Sequence, residues 1–284
     1  MIQEFHYKFG WRARTPRPGF HAAAVTGPGM EFVGHAPLAG AADPRRIDVR
    51  ASLANPIGDW LVRVHRTRAA LSMCVLLDAS GSMGFAGVRR KLDVVIRFVE
   101  SAAFSARRTG DAFGLIAADD AVRVDFQIPV SHARSAAQLA IDRLRNVQPT
   151  GGARGMLAAA TRLPRSRALV FLVSDFHFPL QQVADLLDAT AHHELVPIVV
   201  WDAAEWERLP RFGLVELIDP ETGSRRTVLM RASMHARWRA AAVARRAALA
   251  DCFRSRHRRP FFVDRDFDAD ALTRYFLGED LHAA

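Results

Sequence analysis

The apolar run Leu71 to Leu77, followed at once by Asp78-Ala-Ser80-Gly-Ser82-Met83, constrains this chain more than any other stretch. A short continuous apolar run bounded by turn residues reads as a buried strand, here Ser72 to Leu77. The loop that leaves it places a carboxylate and two hydroxyls at i, i+2 and i+4. All three present hard oxygen to one small volume, which suits Mg²⁺ with water filling the rest of an octahedral shell. The competing reading is a Ser/Gly turn that caps the next helix.

Strand and helix patterns alternate downstream. Val88 to Arg108 carries Leu92, Val95, Ile96, Val99 and Ala103 on one helical face. Ala112 to Ala118 reads as a strand, turned by Asp119-Asp120 into an antiparallel edge from Val122 to Ile128. Ser131 reads as the N-cap of a helix to about Leu144. Helix from about Gly155 to Leu163, strand from Ala168 to Val173, helix from Leu180 to His192 and strand from Val196 to Trp201 follow. Leu214–Asp219 and Arg226–Leu229 flank Pro220-Glu-Thr-Gly223, a hairpin signal. A long helix from Ala232 to His257, a strand from Pro260 to Val263 and a helix from Ala269 to Phe276 complete the series. Such an order predicts an α/β fold with a doubly wound, mostly parallel sheet.

Residues 1–69 are rich in Pro, Gly and Arg, with recurring aromatics such as Phe5, Tyr7, Trp11, Phe32 and Trp60. They read as an ordered extension packed on a main domain of residues 70–284, which carries a β-hairpin insertion near 214–230. Residues 31–64 and that hairpin are expected to form one small β layer.

No apolar run approaches the ~18–20 residues that cross a bilayer, and residues 1–19 lack the apolar core of a signal peptide. A cytoplasmic location is the default expectation, and Cys74 and Cys252 read as reduced packing residues. The net charge is +9, and the only lysines are Lys8 and Lys91. So many arginines suit a partner with an acidic face. They also suit nucleic acid, but no finger, aromatic RNA-binding motif or basic zipper is present. Without G-x-x-x-x-G-K-[ST] the chain is not expected to hydrolyse ATP. Ser80-Gly-Ser82-Met-Gly84 is not a nucleophile elbow, and no general acid–base pair stands out beyond the loops below. His192-His193-Glu194 reads as surface at a helix end, and the run Arg254 to Arg259 as solvated surface or a docking patch.

In a doubly wound sheet, ligands bind beyond the carboxyl ends of the strands. Three loops leave such ends: Asp78/Ser80/Ser82, Thr150-Gly151-Gly152-Ala153, and Ser174-Asp175. Asp78, Thr150 and Asp175 are therefore expected within about one metal-site diameter of each other. This order of D-x-S-x-S, threonine and aspartate resembles the metal-ion-dependent adhesion site of a von Willebrand factor A domain. The resemblance implies Mg²⁺ held by Asp78, Ser80, Ser82, Thr150 and Asp175, open to a carboxylate from a partner protein. The second loop departs from the pattern, because Ala153 stands where such sites carry a threonine after the glycine pair. Either Thr150 substitutes, or the ligand is lost and Asp78 and Asp175 pair with Arg154. Mg²⁺ affinity is accordingly expected to be weak, on the order of millimolar. Arg154 and His177 are the candidate partner-binding residues of the rim.

Asp43-Pro-Arg45-Arg46-Ile47-Asp48, Trp201-Asp202 with Glu205, and Leu217-Ile-Asp219-Pro-Glu221-Thr-Gly223 extend the likeness. Over residues 30–280 the chain resembles the bacterial von Willebrand A family known as domain of unknown function 58, associated with MoxR-type AAA+ ATPases. It is similar to the short soluble members in methanol-oxidation gene clusters. The resemblance implies a non-enzymatic adaptor or chaperone-like protein. With a MoxR-type ATPase it would mature or remodel a client, such as a methanol dehydrogenase-type metalloenzyme. A basic nucleic-acid-binding protein and a metal-dependent enzyme are the alternatives.

Overall fold

Strands that are apolar along nearly their whole length need cover on both faces, and four of them make the centre of the larger of two units. The computed structural model describes residues 2–8, 11, 18–27, 31–40, 44–207, 210 and 212–278. The chain divides into two compact units. The smaller comprises Gly10–Leu71 with Thr109–Asp111, and the larger Met1–Phe9, Ser72–Arg108 and Ala112–Ala284.

The smaller unit contains β1 (Pro18–Gly27), β2 (Glu31–Pro37), α1 (Val49–Leu53) and β3 (Leu61–Ala69). Its strands form an antiparallel sheet in the order β1-β3-β2. Asp48 organises one end of it. Its Oδ1 accepts from Ala51 N–H at 3.1 Å as the N-cap of α1, and its Oδ2 meets Arg63 at 2.8 Å and His35 at 3.2 Å. The Arg63 hydrogen bond, followed by those from Ala51 and His35, holds this carboxyl well below the usual range. Asp43, at the start of the same motif, lies outside the described residues.

The larger unit runs β4 (Ser72–Asp78), α2 (Lys91–Thr109), β5 (Ala112–Ala118), β6 (Val122–Ser131), α3 (Arg134–Arg145) and α4 (Met156–Ala160). It continues with β7 (Leu169–Ser174), α5 (Leu180–Ala189), β8 (Glu194–Val200) and α6 (Ala204–Glu207). The last elements are β9 (Gly213–Ile218), β10 (Arg225–Met230), α7 (Ala232–Arg254), β11 (Phe261–Val263) and α8 (Ala269–Leu277). Six strands form one sheet in the order β11-β8-β7-β4-β5-β6, parallel except for β6 at the edge. This is the doubly wound α/β arrangement that the alternating pattern predicts.

Alternation along β7 shows how both faces are covered. Phe171 points into an aromatic cluster with Phe5 at 5.9 Å and Phe98 at 5.1 Å between ring centres. Val170 and Leu172 join Met156, Leu186 and Phe253 in the core on the other side. Phe5 is 1% exposed and Tyr7 8%, so these two aromatics belong to the core of the larger unit.

Several local expectations are corrected. Ser131 closes β6, and its Oγ accepts from Ala133 N–H at 3.1 Å; Ala133, without a side-chain cap, begins α3. The helix after Gly155 lasts only to Ala160. α5 stops at Ala189, and His193 is buried rather than on the surface, with Nδ1 accepting from Ala168 N–H at 3.3 Å. Burial, with His192, Arg167 and Arg258 nearby, pushes its pKa down to about 4. The arginines after α7 act as internal latches. Arg256 pairs with Asp188 at 2.8 Å, and Arg258 donates to the Ala191 and His193 carbonyls. β9 and β10 hydrogen-bond to each other, and β2 and β3 to one another in the sheet β1-β3-β2. Both cysteines are free, and burial pushes the Cys74 thiol up to about 12. No helix among the described residues is long and apolar enough to cross a membrane.

Candidate functional site

Strand order fixes where a site can form. β4 has β5 on one side and β7 on the other, so the winding reverses there and a crevice opens beyond the carboxyl ends of β4 and β7. Leu77 pairs with Val173, which sets Asp78 beside Ser174. Ser174 Oγ donates to Asp78 Oδ2 at 2.6 Å and accepts from Phe176 N–H at 2.8 Å. Asp78 Oδ1 accepts from Ser80 N–H at 2.9 Å, and the Ser80 and Ser82 hydroxyls lie 3.2 Å apart. The second loop is stitched to the first through backbone alone. Thr150 N–H donates to Ala79 O at 3.1 Å, and Gly81 N–H donates to Gly151 O at 2.9 Å.

The third loop carries Asp175, which is fully buried beside Lys91, the first residue of α2. Lys91 Nζ lies 2.7 Å from Asp175 Oδ2 and 2.5 Å from Glu205 Oε1. Glu205 Oε2 pairs in turn with His177 Nε2 at 2.8 Å. The His177 ring stacks on Trp201, whose Nε1–H donates to Asp175 O at 2.7 Å. Between these residues Phe176 adopts φ +53°, a costly conformation for a bulky side chain. It is held by burial against Phe253 and by Arg245, which donates to the carbonyls of Phe176 and Phe178. The strain thus sits between Asp175 in the interior and His177 on the rim.

Two carboxylates sharing a buried space titrate apart. Burial, and then the charge of Asp175, pushes Asp78 up to about 6 against the hydrogen bonds from Ser174 and Ser80. Burial also raises Asp175, but Lys91, helped by His177 and a hydrogen bond from Ser82, outweighs it and holds the group below its ordinary value. Burial lowers Lys91, while Asp175 and Glu205 more than compensate, so the ammonium stays charged.

The β9–β10 turn reaches into the same region. A Cβ on Gly81 would come 2.0 Å from Pro220 O, so glycine is required for the turn to seat there. Gly151 has φ +62°, and a Cβ on it would meet Asp120 Oδ2 at 2.2 Å. Burial, then Asp175 and Asp219, raises the pKa of Glu221 in that turn.

Asp78, Ser80, Ser82 and Asp175 are therefore brought together. Thr150 joins them by its backbone, but its hydroxyl faces Asp119 Oδ2 at 3.4 Å. Ala153 is buried, with its carbonyl accepting from Gln182. Arg154 is exposed, and the cation that meets Asp175 is Lys91. Sequence reasoning placed Ser174 in the third loop but missed Lys91 and Glu221 as members of the cluster. The one available signal was Lys91 itself, one of only two lysines in a chain whose other basic side chains of this kind are arginines.

These donors do not fit a resident Mg²⁺, which demands a near-ideal shell of uncovered oxygens. Asp78 Oδ2 is engaged by Ser174, Asp175 by Lys91, and the Thr150 hydroxyl by Asp119. Beside the cluster an open cleft of about 640 Å³ is lined by His177, Trp201, Glu205, Arg237, Trp238 and Arg245 among others.

Fold and site together define a doubly wound α/β domain with a buried ionic cluster at its topological switch point. Residues 42–248 match the family described as "Protein of unknown function DUF58", and the chain belongs to that family. It is 45% identical over 67 residues to an uncharacterized protein in the moxR 3′ region of Paracoccus denitrificans, a match covering 24% of this chain and 64% of that one. It is 29% identical over 247 residues to an uncharacterized protein of Mycobacterium tuberculosis, covering 83% of this chain and 75% of that one. The conserved hypothetical protein BatB from Bacteroides thetaiotaomicron aligns in structure with a TM-score of 0.45 at 12% identity, over 75% of this chain and 99% of that one.

Proposed function

We propose that this chain is a non-enzymatic adaptor of the von Willebrand A type, acting with a MoxR-type AAA+ ATPase to mature or remodel a client protein. The observation that carries this reading is the state of the two loop carboxylates. Asp78 and Asp175 are both 0% exposed and both engaged within the protein, so neither reaches out as a general acid, general base or nucleophile. What the loops offer outward is a rim, with His177, Arg154 and the adjacent cleft as the surface for a partner. The relative encoded in a moxR 3′ region supports the ATPase as that partner. A methanol dehydrogenase-type metalloenzyme is the client to which the resemblance points.

The purified chain mixed with a MoxR-type ATPase of its own organism tests this by analytical ultracentrifugation with ATP, with ADP and without nucleotide. A complex is expected in at least one state, weakened about tenfold, or ~1.4 kcal/mol, by Arg154→Glu or His177→Ala. No complex in any nucleotide state sinks the proposal.

A further inference from the structure

We propose that Lys91 supplies the cation of this loop cluster, in the role that a divalent ion holds in an adhesion-type site, so that the cluster is assembled without metal. The inference goes beyond the adaptor reading and does not depend on it.

Geometry carries the argument. The ammonium touches carboxylates from two different elements, Asp175 of the loop after β7 at 2.7 Å and Glu205 of α6, after β8, at 2.5 Å, and so bridges them as an ion would. The Lys91 side chain is 2% exposed and that of Asp175 is 1% exposed, so the pair is shut away from water. Lys91 is anchored at its main chain, and an aromatic ring lies beside its ammonium. Lys91 N–H donates to Phe85 O at 3.1 Å, and the Phe85 ring lies 5.8 Å from Nζ. The chain uses lysine at only one other position, Lys8. A compact ammonium with three rotatable donors suits a gap between carboxylates that the flat fork of an arginine does not. An incoming Mg²⁺ would have to shed water reluctantly and break a buried ion pair, and the hydroxyl of Thr150 is turned away to Asp119.

The test is hydrogen exchange of the full chain, read in peptides covering residues 78–84 and 174–178. After EDTA treatment and in Mg²⁺ or Mn²⁺ at about 10 mM, well above the affinity of weak sites, the protection of the wild type is expected to be the same. Lys91→Met is expected to exchange at least about tenfold faster in both peptides, with or without the ion. Wild-type protection that rises with Mg²⁺ or Mn²⁺ and loses that rise in Asp78→Ala would overturn the proposal. So would a Lys91→Met protein as protected as the wild type. If Lys91→Met does not fold, the wild-type comparison between EDTA and metal decides alone, supported by Mn²⁺ paramagnetic resonance, in which saturable binding abolished by Asp78→Ala counts against it.

Discussion

Replacing Lys91 by Met keeps most of the stem and removes the charge. At 2.7 Å an ion pair in an effective dielectric of about 20 has a gross attraction of about 6 kcal/mol. Desolvation of two buried ions offsets most of that, so the intact pair is worth little net. Removing only the ammonium is different, because Asp175 keeps its desolvation cost and loses its principal attraction. The expected loss is about 3–5 kcal/mol near neutral pH. Asp175→Asn leaves Lys91 with Glu205 and is expected to cost less, about 1–3 kcal/mol. The double variant is expected to lose less than the sum of the two, by about 1–3 kcal/mol of coupling.

The pH dependence has a definite sign. Without Lys91, burial raises the folded-state pKa of Asp175 above its unfolded value. Between those two values the folded state binds the extra proton, so stability is retained at low pH and lost as pH rises through the raised pKa. The penalty of Lys91→Met relative to the wild type is therefore smaller at about pH 5 than at about pH 8. Urea unfolding of the four proteins at both pH values, followed by Trp fluorescence, measures all of this. Strictly additive losses, or a penalty that does not shrink in acid, would refute the reasoning.

His193 is held neutral at a pKa of about 4, against 6.5 when unfolded, so the unfolded state binds more protons as pH falls below 6.5. Stability is expected to drop by up to about 3 kcal/mol from this group between pH ~6.5 and ~4, and His193→Gln should flatten that slope in urea titrations. Gly81→Ala drives a Cβ into Pro220 O and is expected to unseat the β9–β10 turn. Proteolysis between Asp219 and Gly223 should then accelerate, with a loss of about 1–3 kcal/mol; unchanged cleavage would show that the turn is not seated on the loop. Many arginines are engaged by the protein's own carboxylates, as in Arg63–Asp48, Arg145–Glu100, Arg167–Glu194, Arg246–Asp264 and Arg256–Asp188. Binding to random duplex DNA is therefore expected to be weak, with a log K against log salt slope of magnitude below about 3; a steep slope would favour a nucleic-acid role.

The fully buried strands were the most legible part of this chain. Ala112–Ala118 is a strand with the bounds its composition predicts, and β4 extends its predicted run only by Asp78. Burial on both faces selects an unbroken apolar run, and that is a local property of sequence. The D-x-S-x-S loop and Ser174-Asp175 were legible for a related reason, since each directly follows such a strand. Element ends were less so. α5 and α7 stop short of His192 and His257 because their ends are set by contacts from elsewhere, Arg256 and Arg258 reaching back to Asp188 and the Ala191 carbonyl. The identity of the cation at the site lay beyond local pattern altogether. Lys91 and Asp175 are 84 residues apart, and in sequence Arg154 was as plausible a neighbour. Only the placement of the first residue of α2 against the loop after β7 decides which of them is buried with Asp175. Charge pairing in a folded interior depends on distance and desolvation together, and neither exists until the sheet has formed.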